Sequence, residues 1–540
     1  MVCELISPRI EIHCERSRKS ETPVGFMRAR TSSRCGLHES EWRSLGARVI
    51  TGRLLVVVTA ISLLSALAAK AITLALNPAS ITNDYVGTVA LNIGGLTPGM
   101  TVTVESYADM NSNGIIDAGD LLWKRFQVTD GQVPLVAGVR NLNVPGDEDG
   151  LADGQIRTGL NFPATGGSFA LGQGLFRVFD PAGSLTSVTQ AFSITQKLYP
   201  QGVTGRLTWA ATGLPLSNGV VGLQPLVGTT TGFTLTDTNG HYRFYCLPGI
   251  YIVGGLNNNG AIYSQSALIT VGCGQLATNN LVVTNGTSYI AGRVTDSATG
   301  LGIPALSVDA NTAGGLDVLA STDTNGDYVL QVTANTWGVH PGTGAAPEAG
   351  YVDPKRTNVT VTSASVSNVN FVLSKPTALI YGTVRDSLNN PVLGVQLSAR
   401  DQPNAFHSVG RSFVTNASYS LGVQAATWNP APDSGDLALR GFTGSSSSVT
   451  LLNGQATNIN FIVTRTNWPI LQAPIHPSGN GIQFILNGLA GQDYSIEQSS
   501  NLASSNWLAV LATNAPCDTV LIQDSQATNG ARFYRAVVVP

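Results

Sequence analysis

From residue 72 onward, the chain consists of short runs in which apolar and polar residues alternate, separated by Gly, Asn, Asp and Pro. Examples are TVTVES (101–106), NLVVT (280–284), DYVLQV (327–332) and NFIVT (460–464). Alternation with a period of two is typical of strands that bury one face, and the separating residues are typical of tight turns. No stretch after residue 72 holds a 3.6-residue period over a dozen positions. The pattern therefore predicts an all-β protein.

A unit of about 90 residues occurs three times. Each unit opens on a Gly-centred strand, carries a polar turn roughly 35 residues later, and closes on a short β-run that begins with Asn. The openings are at Gly205, Gly292 and Gly382, the turns are TDTNGHYRF (236–244), TDTNGDYVL (322–330) and VTNASYSL (414–421), and the closing runs begin at Asn280, Asn370 and Asn460. Strand-rich repeats of this length predict tandem β-sandwiches, because solenoid repeats are only 20–50 residues long.

The turns explain why these residue types recur. Asn239-Gly240 and Asn325-Gly326 provide the positive φ that a tight hairpin turn requires. Asp237 and Asp323 are expected to cap the turn backbone. The Tyr that follows each turn is expected to start the returning strand and to face the core; these residues are Tyr242, Tyr328 and Tyr419. The third unit has Ala417 where the other two have the turn Gly.

These motifs resemble the carboxypeptidase regulatory-like domain, a transthyretin-like β-sandwich among the carbohydrate-binding-like folds. The second unit is the most similar, through GRVTDSATGLGIPALSVDA (292–310) and STDTNGDYVL (321–330). The third keeps GTVRDSLNNPVLGVQLSA (382–399), whereas the first lacks the early Asp. The resemblance covers about half of the chain, and it implies a fold much more specifically than a function.

We therefore expect β-sandwich domains of Ig-like or transthyretin-like type, arranged as beads on a string. The predicted segments are a non-native or disordered extension (1–48), a signal peptide (49–71), a sandwich with a calcium loop (module one, 72–200), three regulatory-like repeats (module two, 201–285; module three, 286–375; module four, 376–466) and a fibronectin-like C-terminal sandwich (module five, 467–540).

The segment 49–71 has the layout of an export signal. Arg48 and Arg53 precede an apolar stretch, Leu54 to Ala69, and small residues follow it as cleavage candidates. About 16 apolar residues is short for a membrane span, so we expect cleavage rather than a permanent anchor. Because polar residues precede this signal, we expect translation to begin near Val49; a genuine Arg-rich targeting extension is the alternative.

Composition is consistent with export. Charged residues make up 12% of the chain, and residues 72–540 contain 19 Lys and Arg against 27 Asp and Glu. A mildly acidic chain that is poor in Lys is not expected to bind nucleic acid. We expect a secreted or cell-surface protein without a stable membrane span after signal cleavage, whose partners would be an extracellular polysaccharide or a surface protein.

Three of the six cysteines follow the signal: Cys246, Cys273 and Cys517. An oxidising compartment would allow a Cys246–Cys273 bridge, which would leave Cys517 unpaired. No C-x-x-C spacing occurs, so a metal cluster built on cysteine is not expected.

Residues 109–120, DMNSNGIIDAGD, have the spacing of a 12-residue Ca²⁺ loop. Gly114 occupies position 6, where such a loop turns sharply. The oxygen donors would be the side chains at positions 1, 3, 5, 9 and 12 and the main chain at position 7: Asp109, Asn111, Asn113, Asp117, Asp120 and Ile115. Strands are predicted on both sides, so the loop would not belong to an EF-hand helix pair. The predicted cofactor is therefore a structural Ca²⁺ ion.

A second acidic turn, PGDEDGLADG (145–154), follows about 30 residues later. Asp147, Asp149 and Asp153 could complete the same calcium site or make another. A solvated surface loop rich in Asx turns is the alternative for both segments.

Two tryptophans occupy matching positions in the repeats. Trp337 and Trp428 lie 45 and 46 residues after the opening Gly, where the first repeat has Tyr251. Aromatic rings of this kind stack on sugars, which makes these residues candidates for a carbohydrate platform. Their recurrence on a strand favours a core position instead.

No G-x-S-x-G, H-E-x-x-H or phosphate-loop motif occurs, and the histidines after the signal are scattered. We therefore expect no enzyme, but a non-catalytic secreted or cell-surface binding or spacer protein. The alternatives are carbohydrate recognition by the repeats and an accessory chain of a polysaccharide-degrading system.

Overall fold

The computed structural model describes residues 71–162, 169–226, 232–256, 261–263, 268–313, 316–342, 344–413, 416–466, 468–472, 481–503, 506–527 and 532–539. The predicted extension and all but the last residue of the predicted signal peptide lie outside this part of the chain. Residues Ala69–Pro540 form one compact unit. No helix in the described ranges is both long enough and apolar enough to cross a membrane.

Alternation in the sequence becomes alternation in burial. Along the strand Asp327–Val332, Tyr328, Leu330 and Val332 are buried, while Asp327 and Val329 are exposed. Successive side chains of a strand point to opposite faces, so one face enters the core and the other meets solvent. The described chain is built from such strands, which confirms the prediction of tandem β-sandwiches.

Module one packs a three-stranded sheet, in the order β1-β3-β8, on a five-stranded sheet, in the order β2-β10-β9-β4-β5. Its core includes Val89, Leu91, Val104, Ile156 and Val178. The strands are β1 Thr73–Asn77, β2 Ser80–Thr82, β3 Gly87–Gly94, β4 Thr101–Ala108, β5 Leu121–Thr129, β6 Leu135–Val136, β7 Val139–Arg140, β8 Ile156–Phe162, β9 Gly172–Phe179 and β10 Val188–Thr195.

Modules two, three and four share one topology. In each, a central strand pairs antiparallel with the strand that follows the turn and parallel with the closing β-run. A second sheet covers the other side of the core. In module two the strands are β11 Gly202–Trp209, β12 Val220–Pro225, β13 Phe233–Leu235, β14 His241–Tyr245, β15 Gly249–Leu256, β16 Ala261–Tyr263, β17 Ile269–Val271, β18 Leu276–Thr278 and β19 Leu281–Asn285.

The central strands of the next two repeats are β20 and β28. Module three contains β20 Ser288–Asp296, β21 Ser307–Asn311, β22 Asp317–Ser321, β23 Asp327–Val332, β24 Asn335–Pro341, a short helix Ala345–Glu348, β25 Asp353–Pro354, β26 Thr357–Val361 and β27 Phe371–Leu373. Module four contains β28 Ala378–Asp386, β29 Gln396–Asp401, β30 Phe406–Arg411, β31 Ser418–Val423, β32 Ala426–Pro432, a short helix Ser434–Leu439, β33 Phe442–Thr443, β34 Val449–Leu451, β35 Ala456–Asn458 and β36 Phe461–Arg465.

Module five is the smallest sandwich, with sheet orders β37-β38-β41 and β40-β39-β42. Its core includes Phe484, Leu486, Tyr494 and Ile496. The strands are β37 Ile470–Leu471, β38 Ile482–Asn487, β39 Asp493–Ser499, β40 Leu508–Asn514, β41 Thr519–Asp524 and β42 Phe533–Val538.

The modules contact one another through strand pairing, an ion pair and a disulfide, in addition to being consecutive in the chain. Strand β25 leaves module three and pairs with the edge strand β30 of module four. Lys124 of module one lies 2.7 Å from Glu348, in the short helix of module three. A disulfide joins modules two and five. The described unit is thus a set of sandwiches held in mutual contact.

Candidate functional site

The predicted calcium loop joins β4 to β5, and its first and last carboxylates bind the loop backbone. Asp109 is buried and accepts hydrogen bonds from the amides of Asn113, at 3.2 Å, and Gly114, at 2.8 Å. Asp120 accepts from the amide of Met110, at 3.0 Å, and from another loop amide. Gly114 has φ 75°, as a sharp turn at this position requires. The two ends of the loop are therefore closed by its own carboxylates.

Asp117 gathers the two asparagine side chains of the loop. Its Oδ2 accepts from the Asn111 amide group at 2.8 Å and from that of Asn113 at 3.0 Å. Hydrogen bonds hold the pKa of Asp117 below its usual range. The backbone amide of Gly119 has the largest effect, and the two asparagine side chains add to it. The structure thus brings Asp109, Asn111, Asn113, Asp117 and Asp120 into one network, and the side chain of Ile115 is exposed beside it.

The donors of this loop are all oxygens, which suit a hard cation such as Ca²⁺. In the described conformation, however, the carboxylate oxygens bind amide groups of the loop itself. Among the residues that the structure describes, no three His, Cys, Asp or Glu side chains converge as a metal-binding group. The loop therefore matches calcium in donor chemistry, while its observed contacts are those of a closed Asx-rich turn.

The second acidic turn is held by separate contacts. Asp147 is fully buried, and its two oxygens accept from the amides of Gly131, at 2.7 Å, and Arg157, at 3.0 Å. Asp149 lies 3.5 Å from the Arg157 guanidinium, and Asp153 accepts from a backbone amide two residues later. Asp147 therefore connects two separate backbone segments, while Asp149 and Asp153 make contacts of their own, and the three carboxylates do not form a common group.

The proposed carbohydrate platform is wrong for both tryptophans. Trp337 and Trp428 are 0% exposed, so no sugar can stack on their rings. Each indole donates to the backbone carbonyl four residues earlier, that of Thr333 at 2.9 Å and that of Gln424 at 2.8 Å. Their recurrence therefore reflects a core position, which was the alternative that the sequence favoured.

The predicted Cys246–Cys273 bridge is also wrong. Cys273 is bonded to Cys517, with 5.8 Å between their Cα atoms, and Cys246 is free. Cys246 follows β14 with its side chain in the core of module two, where burial raises the pKa of its thiol to about 11. Cys273 lies on an exposed turn between β17 and β18, so the nearer cysteine in sequence points away from it.

The side chain of Gln201 forms hydrogen bonds to both backbone segments next to this disulfide. Its side chain is 1% exposed, donates to the Pro516 carbonyl at 2.8 Å and accepts from the Gly274 amide at 3.2 Å. These two residues are the neighbours of Cys517 and Cys273 in the sequence. The sequence carries no signal for this clasp, because Gln201 and Pro516 are 315 residues apart along the chain.

A loop of module one docks on module four, a contact that the sequence analysis missed. The amide of Leu142 donates to Ser420 Oγ at 2.7 Å. The side chain of Asn143 donates to the carbonyls of Val409, at 3.1 Å, and Ser420, at 3.0 Å. Asn143 and Ser420 are both buried.

A buried acid–imidazole pair lies where β25 leaves module three. Asp353 is 0% exposed, and neither of its carboxylate oxygens has a hydrogen-bond partner among the described residues. His340 Nε2 lies 3.0 Å from the Pro354 carbonyl and 3.7 Å from Asp353, while Nδ1 lies 3.7 Å from Asp309. Burial raises the pKa of Asp353 to about 7. The buried carboxyl group and the imidazole therefore lie together at a junction between modules.

No protein-family model matches the chain, and no curated protein matches it either. Solved structures give matches of low identity. The Bacillus anthracis TIE protein matches at 10% identity over 73% of this chain and 75% of its own, with a TM-score of 0.17. A streptococcal ancillary pilin matches at 13% identity over 52% and 93%, with a TM-score of 0.15. The major pilin subunit of Bacillus cereus, BcpA, matches at 11% identity over 49% and 99%, with a TM-score of 0.14.

Proposed function

We propose that the chain is a non-catalytic spacer or binding protein, secreted or held at the cell surface. The observation that carries this proposal is the bond between Cys273 and Cys517, which ties module two to module five. Disulfides between distant parts of a chain persist in oxidising compartments and are rare where thiols are kept reduced. Such a bond is of use to a protein whose modules must keep a fixed arrangement outside the cell.

The other fastenings support a structural role. Asn143 of module one is buried against Ser420 of module four, and β25 extends the sheet of module four. These contacts are made by backbone groups and small polar side chains. They connect modules one, three and four, and the stiffness that they would confer is the property that a spacer needs.

The three repeats are proposed to be relatives of the carboxypeptidase regulatory-like domain. What supports this is the role of the repeated residues. Asp323 Oδ1 accepts from the amides of Asn325, at 2.8 Å, and Asp327, at 2.9 Å, and Asp237 makes the same contacts in module two. Tyr242, Tyr328 and Tyr419 are buried as that motif implies.

Mapping cysteines in the exported protein tests the surface location. We expect a peptide pair linked through Cys273 and Cys517 in the native extracellular or surface fraction, with Cys246 alkylated only after unfolding. Full-length protein found only in the cytoplasm with all three thiols reduced would contradict the proposal.

A glycan panel tests the binding alternative. A spacer is expected to pass over soluble and insoluble polysaccharides without retention. Retention that is lost in Tyr289→Ala or Trp468→Ala, two exposed aromatic residues, would establish carbohydrate recognition and displace the spacer function. Trp337→Ala is unsuitable for this purpose because the ring is buried.

Calcium is proposed as a structural ion of the loop 109–120. It would be held by the side-chain oxygens of Asp109, Asn111, Asn113, Asp117 and Asp120 and the main-chain carbonyl of Ile115, and it would neutralise the charge of the carboxylates. Calcium is expected to raise the melting temperature of the full chain relative to chelator, and Asp117→Asn should remove that increase. Equal melting temperatures in calcium and chelator would show that the hydrogen bonds of the loop suffice.

A further inference from the structure

The disulfide changes which parts of the chain can be stretched. Cys273 lies between β17 and β18 of module two, and Cys517 lies between β40 and β41 of module five. The sequence separation is 244 residues, and modules three and four fall wholly within it. A covalent path from the amino-terminal side therefore reaches the carboxyl-terminal side through two sulfur atoms.

We propose that this bond acts as a mechanical bypass: tension between the chain ends passes from Cys273 to Cys517, and modules three and four remain outside the loaded path. The inference rests on the proposed spacer function, since a spacer outside the cell is a protein on which tension acts. Reduction of the bond puts the enclosed segment under load and converts a short connector into a long one.

Contacts around the bridge keep the two modules together at this point. Gln201 hydrogen-bonds the residues next to both cysteines. Leu247 of module two packs on Gly491 of module five, where an added Cβ would lie 2.6 Å from its Cδ1 atom. The bond therefore lies within a packed contact between modules, and modules two and five share the load.

The bypass divides modules two and five themselves. Strands β18 and β19, which pair parallel with β11, come after Cys273 and belong to the enclosed segment. In module five, β41 and β42 come after Cys517 and belong to the loaded path. Tension can therefore open parts of these two sandwiches, while the strands of modules three and four receive none through the covalent chain.

The bond is open to a dithiol reductant from one side. Cys273 is in an exposed turn, whereas Cys517 is 6% exposed. A thiolate of the dithiol would attack the Cys273 sulfur, and the Cys517 thiolate would leave. The second thiol of the reductant would then close a cyclic disulfide and release Cys273, so that one two-electron oxidation of the dithiol yields two protein thiols.

The gain in length is large enough to measure. A fully extended chain spans roughly 3.3–3.6 Å per residue, so a separation of 244 residues corresponds to about 80–90 nm of added contour. With the bond intact, this length cannot appear at any force that leaves covalent bonds unbroken.

Single-molecule stretching of the full-length chain, held at its two ends, tests the bypass. Oxidised wild type should lack about 80–90 nm of contour that appears after addition of dithiothreitol. Cys517→Ser should show the long contour without reductant, and Cys246→Ser, which removes the free thiol among the described residues, should behave as oxidised wild type. Equal contour lengths before and after reduction would overturn the proposal.

A second readout separates this inference from the function proposed above. The stretching result depends only on the bond, whereas cysteine mapping in the exported fraction reports the compartment. A chain that shows the bypass in vitro but occurs only reduced in the cytoplasm would refute the extracellular spacer function and leave the mechanical assignment of the oxidised protein intact.

Discussion

Modules three and four have matching interiors. In both, a buried Trp donates to the carbonyl four residues earlier. Tyr328 and Tyr419 each donate to a carbonyl just before the closing run, at 2.6 and 2.7 Å. Module two makes the same two contacts with tyrosines, since Tyr251 donates to Leu247 at 2.7 Å and Tyr242 donates to Asn279 at 2.7 Å. In each interior, the polar groups of a few large aromatic side chains thus form the same hydrogen bonds to backbone carbonyls.

The outer faces of the same sheets differ. At the position after the motif Tyr, module two has Arg243, module three has an exposed Val329 and module four has the buried Ser420. Ser420 receives a loop of module one, whereas the Arg243 carbonyl accepts a hydrogen bond from the side chain of Gln196, at the end of module one. In module two, Arg243 lies over Tyr245, with 4.7 Å between the guanidinium carbon and the ring centroid. One scaffold therefore carries three different surfaces, and the surface decides which neighbour packs there.

Removing a buried indole should produce the largest effect on the shared interior. Trp337→Ala is expected to destabilise module three by about 3–5 kcal/mol, because it leaves a cavity and loses the hydrogen bond to Thr333. Amide hydrogen exchange of β20 and β24 in the full chain measures the loss. Trp468→Ala, which truncates a 55% exposed Trp, is the matched control and should change stability by less than about 1 kcal/mol. Unchanged exchange in Trp337→Ala would contradict the core assignment.

A methyl group at the turn glycine should have the next largest effect. Gly326 has φ 83°, and a Cβ there would lie 2.3 Å from the Val294 carbonyl oxygen. Gly326→Ala is expected to cost roughly 1–3 kcal/mol through this clash and the strained φ. Denaturant dependence of exchange in β23 checks the value. Gly300→Ala is a useful comparison, since it has φ 68° but no atom within 4 Å of the added Cβ.

Loss of one tyrosine hydroxyl tests whether the three interiors are energetically equivalent. Tyr328→Phe keeps the ring and leaves the Val369 carbonyl without its donor, which should cost about 1 kcal/mol. Tyr242→Phe and Tyr419→Phe should lose similar amounts in their own modules. Local exchange in each module provides the three values, and a loss confined to one repeat would show that the shared geometry hides different energetics.

The smallest expected effect is an increase in stability, whereas the substitutions described above lower it. Ala417 holds the turn position of module four with φ 58°, where modules two and three have Gly. A left-handed conformation costs an L-residue about 1–2 kcal/mol, and part of this is offset because Gly has more freedom in the unfolded chain. Ala417→Gly should therefore stabilise module four by up to about 1 kcal/mol, seen as slower exchange in β31. A loss of stability would mean that the buried methyl contributes more through packing than the turn gains.

The sequence predicts the interiors well because their causes are local. Alternation along β23, the Asn325-Gly326 turn and the Asp323 cap are set by residues within a few positions of one another. A period of 90 residues also allows one repeat to be checked against the next. These features are sufficient to predict a β-sandwich array and the buried Tyr of each repeat.

The sequence does not predict the contacts between modules, because these contacts join residues that are far apart along the chain. Nothing near Asn143 indicates Ser420, and nothing near Cys273 distinguishes Cys517 from the closer Cys246. The direction of the Cys246 side chain decides the pairing, and this follows from the register of β14 in its sheet. The tryptophans were ambiguous for a related reason, since an aromatic residue on a strand can face either side of the sheet.

The two cysteines of the disulfide are synthesised at different times. At about 5–20 residues per second, Cys273 is made roughly 12–50 s before its partner, 244 residues later. Cys246 is already present throughout this interval. Folding of module two before Cys517 arrives withdraws the Cys246 thiol into the core and leaves Cys273 on the surface. A module two that folds in this order offers Cys517 only the Cys273 thiol, because the Cys246 thiol is buried.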